Sequence, residues 1–279
     1  MEVSLRIARP LQVTLTALLL GALSCANPLF AADDHKAINL YSVPQEIALG
    51  RQMAAEVEKQ ARLVDDPIVA EYVNRLGQNL AIHAKAPFPI SVKMIQSDDI
   101  NAFTLPGGLV YVNSVMMKMA DNEAELASVI AHEIGHAAAR HATRQATRGQ
   151  VAKFASVPLS ILIPGWAGFA ARQAAGAAAP VVSYHFSRAY ETEADLLGIR
   201  YLSEAGYDPG ASIDMFERIE STERKRPGAV SKLFLSHPPT ADRIVKTQAA
   251  IAKLKGDTDS YILNTSEFET VRARLISGN

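Results

Sequence analysis

The chain has 279 residues, a formal net charge of −1 and a pI of about 6.7, and this length suffices for one sizeable core or two small domains. The near-zero net charge argues against a nucleic acid or an anionic surface as partner, so we expect no nucleic-acid binding. Hydrophobic residues make up 48% of the chain, a share that two apolar stretches raise.

The first apolar stretch predicts a signal peptide over residues 1–31. Arg6 and Arg9 precede an uncharged run from Leu11 to Leu23. That run has the length of a signal-peptide core and is too short to span a bilayer comfortably. Small residues follow, and we expect cleavage before Ala32. The sequence therefore predicts an exported protein of the periplasm.

Cys25 is the only cysteine, and the residues before it loosely resemble a lipobox. Lipidation of Cys25, with attachment to the outer membrane, is the alternative to an ordinary cleaved signal. The match is poor because the branched residue Leu23 lies one position too near the cysteine. With either signal, the exported chain has no thiol pair for an internal disulfide.

After the signal, the sequence predicts a mainly α-helical fold with a small β-sheet (α+β). Apolar residues three and four apart indicate helices, and alternating apolar and polar residues indicate strands. Prolines, glycines and capping residues mark the ends of these elements. The predicted elements are helices from 43 to about 62 and from 67 to about 80, strands Ile90–Ile95 and Leu109–Val112, a helix from 123 to about 148 opened by Asn122 and Glu125 as a capping box, helices over 187–205 and from 209 onward, a loop over 222–227, a helix capped by Thr240 that runs to Ile251, and a last helix begun by Ser266 with Glu269 as its capping box.

The second apolar stretch covers residues 151–183. No charged residue lies between Lys153 and Arg172, and Pro158 and Pro164 interrupt any single helix, so a membrane-spanning helix is not expected. An apolar loop or a helical hairpin fits the composition better. Burial in the core, contact with a membrane and a mobile cover over an active site remain open.

The predicted helix from 123 contains the pattern HExxH. His132 and His136 are four residues apart, so they lie on one helix face and can direct two imidazoles at one metal ion. Glu133 is displaced by one residue, which is where a general base for water is needed. The alternative is a solvated helix face. His141 follows His136 by five residues, so we expect it to point elsewhere, as a structural or exposed residue.

A catalytic zinc needs a third protein ligand, and the helix over 187–205 offers Glu191 and Asp195. These two carboxylates are four residues apart and share a face, whereas Glu193 faces away. If Glu191 binds the metal, Asp195 can hydrogen-bond a ligand histidine and fix its orientation. An acidic solvated face is the alternative, and the spacing by itself does not decide between them.

Several separated motifs together resemble one family of zinc metallopeptidases, that of the CAAX prenyl endopeptidase and HtpX. The resemblance covers roughly residues 40–250 and points to the exported bacterial branch, which includes the periplasmic β-barrel assembly-enhancing protease. Unlike that protein, the sequence shows no tetratricopeptide repeats. The motifs are Ile100-Asn101-Ala102-Phe103 with Pro106-Gly107-Gly108, Asn122-Glu123-Ala124-Glu125-Leu126-Ala127, His132-Glu133-Ile134-Gly135-His136, and Ser187-Arg188 ahead of Glu191-Thr192-Glu193-Ala194-Asp195.

The resemblance implies a zincin-like metallopeptidase domain with HExxH on a central helix. It implies one Zn²⁺ per chain with His132, His136 and Glu191 as ligands and Glu133 as the base. Asp195 is implied as a further residue of the catalytic site that orients a ligand histidine. Two neutral imidazoles and a carboxylate also favour zinc over other divalent metals.

The resemblance also implies a switch. In the exported branch a His-Pro loop can bring its histidine to the zinc as a fourth ligand, which closes the site. Ser236-His237-Pro238-Pro239 matches that loop, and Arg243 follows where the branch has an arginine. We expect His237 to be this fourth ligand, and Arg243 to contact the oxyanion or the substrate. A turn histidine beside prolines is the alternative.

Further substrate contacts are expected near the predicted strands. Leu109–Asn113 is expected to be an edge strand to which an unfolded substrate adds as another strand. Asn101 and Phe103 would then lie near the cleft. Gly107 and Gly108 either let the backbone run close to a substrate or form a plain hairpin turn.

These observations predict an exported zinc-dependent endopeptidase that hydrolyses unfolded or misassembled envelope and outer-membrane proteins. The alternative is a chaperone-like protein that binds unfolded clients and keeps a latched zinc site. The expected partners are unfolded or misfolded proteins, and membrane contact through 151–183 is one of the alternatives left open. The predicted domains are the metallopeptidase domain over 32–256 and a C-terminal helix within 257–279.

Overall fold

The computed structural model describes residues 38–156, 186–225, 237–238, 241–254 and 260–278. The predicted signal peptide with Cys25, the apolar segment from residue 157 to 183, and Thr240 all lie outside these ranges. In the described part of the chain, no helix combines the length and the hydropathy needed to cross a membrane.

Helices dominate the described residues and accompany a small sheet, so the predicted α+β class is confirmed. Local capping explains where the first helices begin: Ser42 and Gln45 form a capping box, and Asp66 accepts backbone N–H groups from the first turn of the second helix. In chain order the elements are α1 (Val43–Gln60), α2 (Pro67–Ala81), β1 (Ser91–Ile95), β2 (Ala102–Leu105), β3 (Leu109–Asn113), α3 (Ser114–Met119), α4 (Glu123–Ala138), α5 (His141–Ser156), α6 (Arg188–Glu204), α7 (Ala211–Lys225), α8 (Ala241–Ile251) and α9 (Ser266–Ser277).

The strands pair in the order β1–β3–β2. β1 runs parallel to β3, and β2 runs antiparallel to it with Phe103 opposite Tyr111. Gly107 and Gly108 join β2 to β3 with φ angles of +79° and +89°, in the left-handed region that glycine enters without strain. The two glycines therefore form a hairpin turn, and Gly107 also lies close to the backbone of α1, where an added Cβ atom would be 2.8 Å from Ile47 Cα.

The strand order corrects two predictions. β3, expected at an edge, is the central strand, and β2, which is absent from the predicted strands, is an edge strand. The outer edge of β1 is covered where Leu63 bridges Ile95, whereas no described strand pairs with the outer edge of β2. The order depends on how the chain crosses from β1 to β3, which local periodicity does not encode.

The core is organised around α4. Its residues Leu126, Ile130 and Ile134 are completely buried and pack with α2 and one face of the sheet. The other face of the sheet packs against α1, and there Phe103 stacks on Tyr111 with 5.2 Å between ring centroids. The helix that carries HExxH is thus the central helix, as predicted.

The helix predicted from 123 to about 148 is in fact two helices. α4 ends at Ala138, and Arg140 adopts a φ of +57° before α5 begins at His141. A left-handed residue other than glycine costs about 1–2 kcal/mol. The side chain of Arg140 offsets this cost, because it donates to Glu46 Oε2 at 2.5 Å and to the carbonyl oxygen of Tyr41 at 2.6 Å. α5 is therefore free of the helical register of α4.

Three other boundaries differ from the prediction. α3 was not predicted, and α7 continues into the charged segment 222–227 that was predicted as a loop. Thr265, not Ser266, caps α9, because its hydroxyl accepts a backbone N–H three residues on at 3.1 Å. In each case short or charged helical turns lack the apolar periodicity on which the prediction rests.

The residues ahead of α1 lie against α5. Asn39 Nδ2 donates to Thr143 Oγ1 at 2.9 Å, and the backbone N–H of Leu40 donates to Thr147 Oγ1 at 3.0 Å. These bonds fix the first turns of α5 to the body of the domain.

Candidate metal centre

The start of α4 is set by its cap. The Oδ1 atom of Asn122 accepts from the backbone N of Glu125 at 3.0 Å, and Glu125 Oε2 accepts from the backbone N of Asp121 at 3.0 Å. The predicted cap is present, although the return bond reaches one residue further than in a standard capping box. Arg218 of α7 also donates to both oxygens of Glu125, so the helix end is tied to a neighbour.

α4 and α6 touch backbone to backbone beside HExxH. A Cβ atom on Gly135 would lie 2.9 Å from the carbonyl oxygen of Ala194, and one on Gly198 would lie 3.2 Å from the backbone N of His132. A side chain at either glycine would push the helices apart. This close approach places the histidines of α4 directly opposite the carboxylates of α6.

The three predicted ligands converge. The Nε2 atoms of His132 and His136 lie 3.0 Å apart. Glu191 Oε1 lies 3.5 Å from His136 Nε2, and Glu191 Oε2 lies 3.6 Å from His132 Nε2. Together with His237, each of these residues offers one ligand atom, and all four atoms lie within 4.8 Å of one another.

His237 closes the cluster on the side of Glu133. Its Nδ1 atom lies 3.0 Å from Glu191 Oε1 and 3.4 Å from His132 Nε2, and its Nε2 atom lies 3.5 Å from Glu133 Oε1. The imidazole is buried. The structure therefore places the predicted fourth residue between the ligand cluster and the predicted base.

Asp195 and Arg243 support the cluster from behind. Asp195 Oδ1 lies 3.0 Å from His132 Nδ1, which leaves the Nε2 atom of that ring turned toward the cluster. Arg243 donates from Nε and Nη2 to both oxygens of Asp195 at 2.7 and 2.8 Å. Its Nη1 lies 3.0 Å from Glu191 Oε2 and donates to the carbonyl oxygens of His237 and Pro238. Arg243 thus ties the His-Pro loop to the carboxylates of α6.

Glu133 is completely buried, and neither of its carboxylate oxygens has a hydrogen-bond partner among the described residues. Burial raises the pKa of this carboxyl. A buried carboxylate without donors is costly unless a cation or a bound polar molecule balances it. The side chain is therefore placed where a metal ion or a water molecule would satisfy it.

The other side of His136 carries contacts that the spacing did not predict. His141 is buried, with its Nδ1 atom 2.9 Å from His136 Nδ1 and its Nε2 atom 3.1 Å from Glu193 Oε2. Glu193 faces away from the cluster, as expected, but toward His141. His141 is thus structural and not exposed. The helix break at Arg140 brings it here, and nothing in the spacing signals that break.

The protonation states differ among the ligand residues. Burial by itself would raise the pKa of Glu191, but His237 and His132 outweigh it and hold the pKa below its ordinary value. Burial lowers the pKa of His136 well below its ordinary value. Burial also acts to lower the pKa of His132, yet hydrogen bonds with Asp195 and Glu191 raise it to about 10. The directions of these shifts favour an ionised Glu191 and a neutral His136, the forms in which both residues bind metals.

The residues fit a cation. The carboxylates of Glu191 and Asp195 face the single guanidinium of Arg243 among the described residues, so a positive ion would balance the remaining charge. Imidazole nitrogens with a carboxylate oxygen are the donors that zinc accepts in a tetrahedral site. His132, His136 and Glu191 would hold the ion.

The family model of Peptidase family M48 matches residues 67–251, a range that runs from α2 to the end of α8 and contains all of the residues above. The chain belongs to peptidase family M48. The family predicted from the motifs is thereby confirmed.

Curated M48 relatives agree with this assignment. The chain is 30% identical over 245 residues to the β-barrel assembly-enhancing protease of Escherichia coli K12, covering 84% of this chain and 49% of that protein. It is 34% identical over 216 residues to the protein of the same name from Yersinia pestis, covering 73% and 43%. It is 31% identical over 212 residues to the mitochondrial metalloendopeptidase OMA1 of Schizosaccharomyces pombe, covering 68% and 56%. The chain therefore spans about half the length of the relatives that it matches.

Four predicted substrate-contact residues of this M48 domain lie outside the cluster. Asn101 precedes β2, and its carbonyl oxygen accepts from the backbone N of Asn113 at 3.0 Å. The side chain of Phe103 packs on the α1 side of the sheet, the face opposite α4. Gly107 and Gly108 form the hairpin turn. Within the described residues, no hydrogen bond, ion pair or ring contact joins any of the four to His132, His136 or Glu191, and their roles stay predictions.

A cavity of about 50 Å³ adjoins the metal centre. His132, Glu133 and Arg243 line its polar side. Its apolar wall comes from α4, α6 and α7 and comprises Val129, Ile199, Leu202, Met215, Phe216 and Ile219. An apolar pocket beside a few polar groups can accept one side chain of a bound peptide.

Proposed function

We propose that this M48 chain is an exported zinc-dependent endopeptidase that hydrolyses unfolded or misassembled envelope proteins in the periplasm. One observation carries the proposal: the buried carboxylate of Glu133 has no hydrogen-bond partner among the described residues and adjoins the cluster of His132, His136 and Glu191. A site that only holds a structural metal has no need of such a group. The names of relatives, a protease in β-barrel assembly and a metalloendopeptidase, support the reaction class.

The residues divide the work of hydrolysis. His132, His136 and Glu191 would hold the ion, which supplies Lewis acidity for the scissile carbonyl and for water. Glu133 accepts a proton from the attacking water on a carboxylate oxygen and later passes it to the leaving amine. Asp195 accepts the Nδ1 proton of His132, so the Nε2 lone pair of that ring is directed at the metal.

Zinc is proposed over other divalent ions. Two or three imidazoles and one carboxylate are ligands that zinc accepts readily, whereas magnesium and calcium prefer oxygen atoms alone.

Export to the periplasm is proposed from the apolar run Leu11–Leu23. The domain boundaries 32–256 and 257–279 remain predictions from sequence. The membrane contact through 151–183 also remains a prediction from sequence.

Substrate is proposed to bind along β2. The carbonyl of Asn101 is directed at β3, where it accepts from Asn113. Because backbone groups alternate along an antiparallel strand, those of Ala102 and Thr104 point to the outer edge. Ala102 and Thr104 are buried, so an extended peptide would pair with that edge through its own backbone only after displacing what covers these two residues. This mode accepts any unfolded segment, which suits misassembled proteins better than one fixed sequence.

His237 is proposed to regulate the site as a fourth ligand. Its Nδ1 atom lies within hydrogen-bond distance of Glu191, and Arg243 holds the carbonyl oxygens of His237 and Pro238. A fourth protein ligand would take the position that water needs. The chain would then be closed to substrate until the His-Pro loop moves.

The same contacts favour a second candidate, a chaperone-like protein that binds unfolded clients and keeps its zinc latched. The two candidates differ in whether peptide bonds are broken. In the latched case the edge of β2 would still bind extended segments, because that edge does not depend on the metal.

The test is cleavage of β-casein, an unfolded protein, by the purified chain and by Glu133→Gln, with zinc content measured on the same samples. Bound zinc with cleavage by the wild type alone supports the endopeptidase. Bound zinc without cleavage by either sample supports the latched chaperone. A wild-type chain that neither binds zinc nor cleaves casein would contradict the proposal.

A further inference from the structure

The side of His136 that faces away from the metal cluster carries a buried chain of hydrogen bonds. His136 Nδ1 lies 2.9 Å from His141 Nδ1, and His141 Nε2 lies 3.1 Å from Glu193 Oε2. The exposed fractions of the three side chains are 0%, 0% and 14%. The proposed reaction does not use His141 or Glu193.

The metal site fixes the direction of this chain. If His136 Nε2 binds a metal, the neutral ring carries its proton on Nδ1. A buried N–H needs an acceptor, and His141 Nδ1 lies at hydrogen-bond distance from it. His141 must then carry its own proton on Nε2, where the carboxylate of Glu193 accepts it. Each link therefore has one donor and one acceptor.

We propose that His141 and Glu193 are positioning residues for the metal ligand His136, as Asp195 is for His132. The inference rests on the metal site of the proposed function. A ligand histidine commonly donates its second N–H to a carboxylate or carbonyl, which fixes the ring and raises its basicity. In this protein the imidazole of His141 lies between the proposed ligand His136 and the carboxylate of Glu193.

The surroundings hold each part of the chain in place. Phe186 stacks on the ring of His136 at a centroid distance of 4.1 Å, and Tyr190 stacks on His141 at 4.3 Å. Arg144 donates to the carbonyl oxygen of Ala139 at 3.1 Å and lies 3.5 Å from Glu193 Oε2. The rings cannot turn freely, and the charge of Glu193 is balanced nearby.

A competing explanation is that His141 only fills space between Tyr190 and His136. Two substitutions separate the explanations. His141→Phe keeps an aromatic ring for the stack on Tyr190 but removes both hydrogen bonds. His141→Asn loses the ring but places an amide oxygen where Nδ1 accepts from His136.

The experiment measures the zinc affinity of the full-length chain by competition with a chelator. We expect His141→Phe to weaken zinc binding by about 10–100-fold, the usual effect of losing such a partner, and His141→Asn to recover most of that loss. A cobalt-loaded sample should show an altered visible spectrum for His141→Phe only. A space-filling role predicts equal zinc affinities for the two variants. It also predicts a lower melting temperature for His141→Asn, which loses the ring, than for His141→Phe.

Controls keep the test decisive. His83→Phe removes a histidine whose ring is 26% exposed and 3.6 Å from Glu204, and it should leave zinc affinity unchanged. If His141→Phe fails to fold, Glu193→Gln, which keeps the size of the side chain but weakens the acceptor, should still lower zinc affinity. Wild-type affinity in His141→Phe, or in Glu193→Gln where the first variant does not fold, overturns the inference.

The measurement also separates this inference from the proposed function. A wild-type chain that binds zinc but does not cleave casein contradicts the endopeptidase and leaves the affinity comparison valid. A wild-type chain that binds no zinc overturns both.

Discussion

The carboxylate of Asp195 joins two parts of the site: its Oδ1 atom lies 3.0 Å from His132 Nδ1, and its Oδ2 atom accepts from Arg243 Nε at 2.7 Å. Arg243 in turn holds the backbone of the loop that carries His237. A movement of this loop is therefore coupled, through one ion pair, to the orientation of His132, a proposed metal ligand.

Replacing Asp195 with Asn should weaken zinc binding by about 10–100-fold. The amide has the shape of the carboxylate but lacks its charge, so it is a weaker acceptor for both His132 and Arg243. Titration with a competing chelator measures the effect. Asp65→Asn is the matched control, because the Asp65 side chain is 84% exposed. Equal affinities for Asp195→Asn and the wild type would show that Asp195 does not orient His132.

Replacing His237 with Ala should raise the rate of casein cleavage and weaken zinc binding by about tenfold or more. The first effect follows because the position beside Glu133 is opened for water, and the second because a metal-facing nitrogen is lost. Cleavage rate and zinc affinity are measured on one preparation, with His83→Ala as control. The latch hypothesis is abandoned if both quantities stay at their wild-type values.

Replacing Gly135 with Ala should separate α4 from α6. The new Cβ atom would lie 2.9 Å from the carbonyl oxygen of Ala194, and overpacking of this kind costs about 1–3 kcal/mol. The melting temperature and the zinc affinity should both fall. Gly149→Ala on α5 is the control, because no described atom lies within 4 Å of its Cβ position. It should change the free energy of unfolding by no more than about 1 kcal/mol, toward stability. A Gly135→Ala protein with the melting temperature of Gly149→Ala would contradict the proposed helix contact.

Replacing Glu58 with Gln should make stability less dependent on pH. Lys93 Nζ and the Tyr111 hydroxyl each donate to Glu58 Oε1 at 2.6 Å, and these bonds hold the pKa of Glu58 below its ordinary value. A lowered pKa stabilises the fold above the ordinary value of about 4.3, and that contribution is lost as the pH falls through the lowered pKa.

Urea unfolding at pH 7 and at pH 3 tests this prediction. The wild type should exceed Glu58→Gln in free energy of unfolding at pH 7, and the difference should shrink at pH 3. Glu71→Gln, at a side chain that is 78% exposed, should show little difference at either pH. If the difference grew toward pH 3, the assigned direction of the pKa shift of Glu58 would be wrong.

The relative placement of the proposed metal ligands was predictable from sequence because their geometry is local. His132 and His136 are four residues apart on one helix, and helical spacing fixes their relation before any tertiary contact forms. Glu191 and Asp195 share a face for the same reason. Spacing did not decide whether these pairs meet. That depends on the approach of the two helices at Gly135, a tertiary contact.

The parts that were not predictable depend on the path of the chain. β2 spans only Ala102–Leu105 and becomes a strand through its pairing with β3. The central place of β3 follows from the crossover that begins at β1. The contact of His141 with His136 follows from one left-handed residue, Arg140, whose conformation is held by partners distant in sequence.

The kink at Arg140 sets where His141 lies relative to His136. One residue inserted into a helix turns all that follows by about 100° and moves it by about 1.5 Å. An insertion or deletion at residues 137–138, inside α4, would therefore move the kink and carry the second imidazole away from the first. A search pattern for proteins with this arrangement can then run five positions beyond HExxH, as HExxHxxxxH.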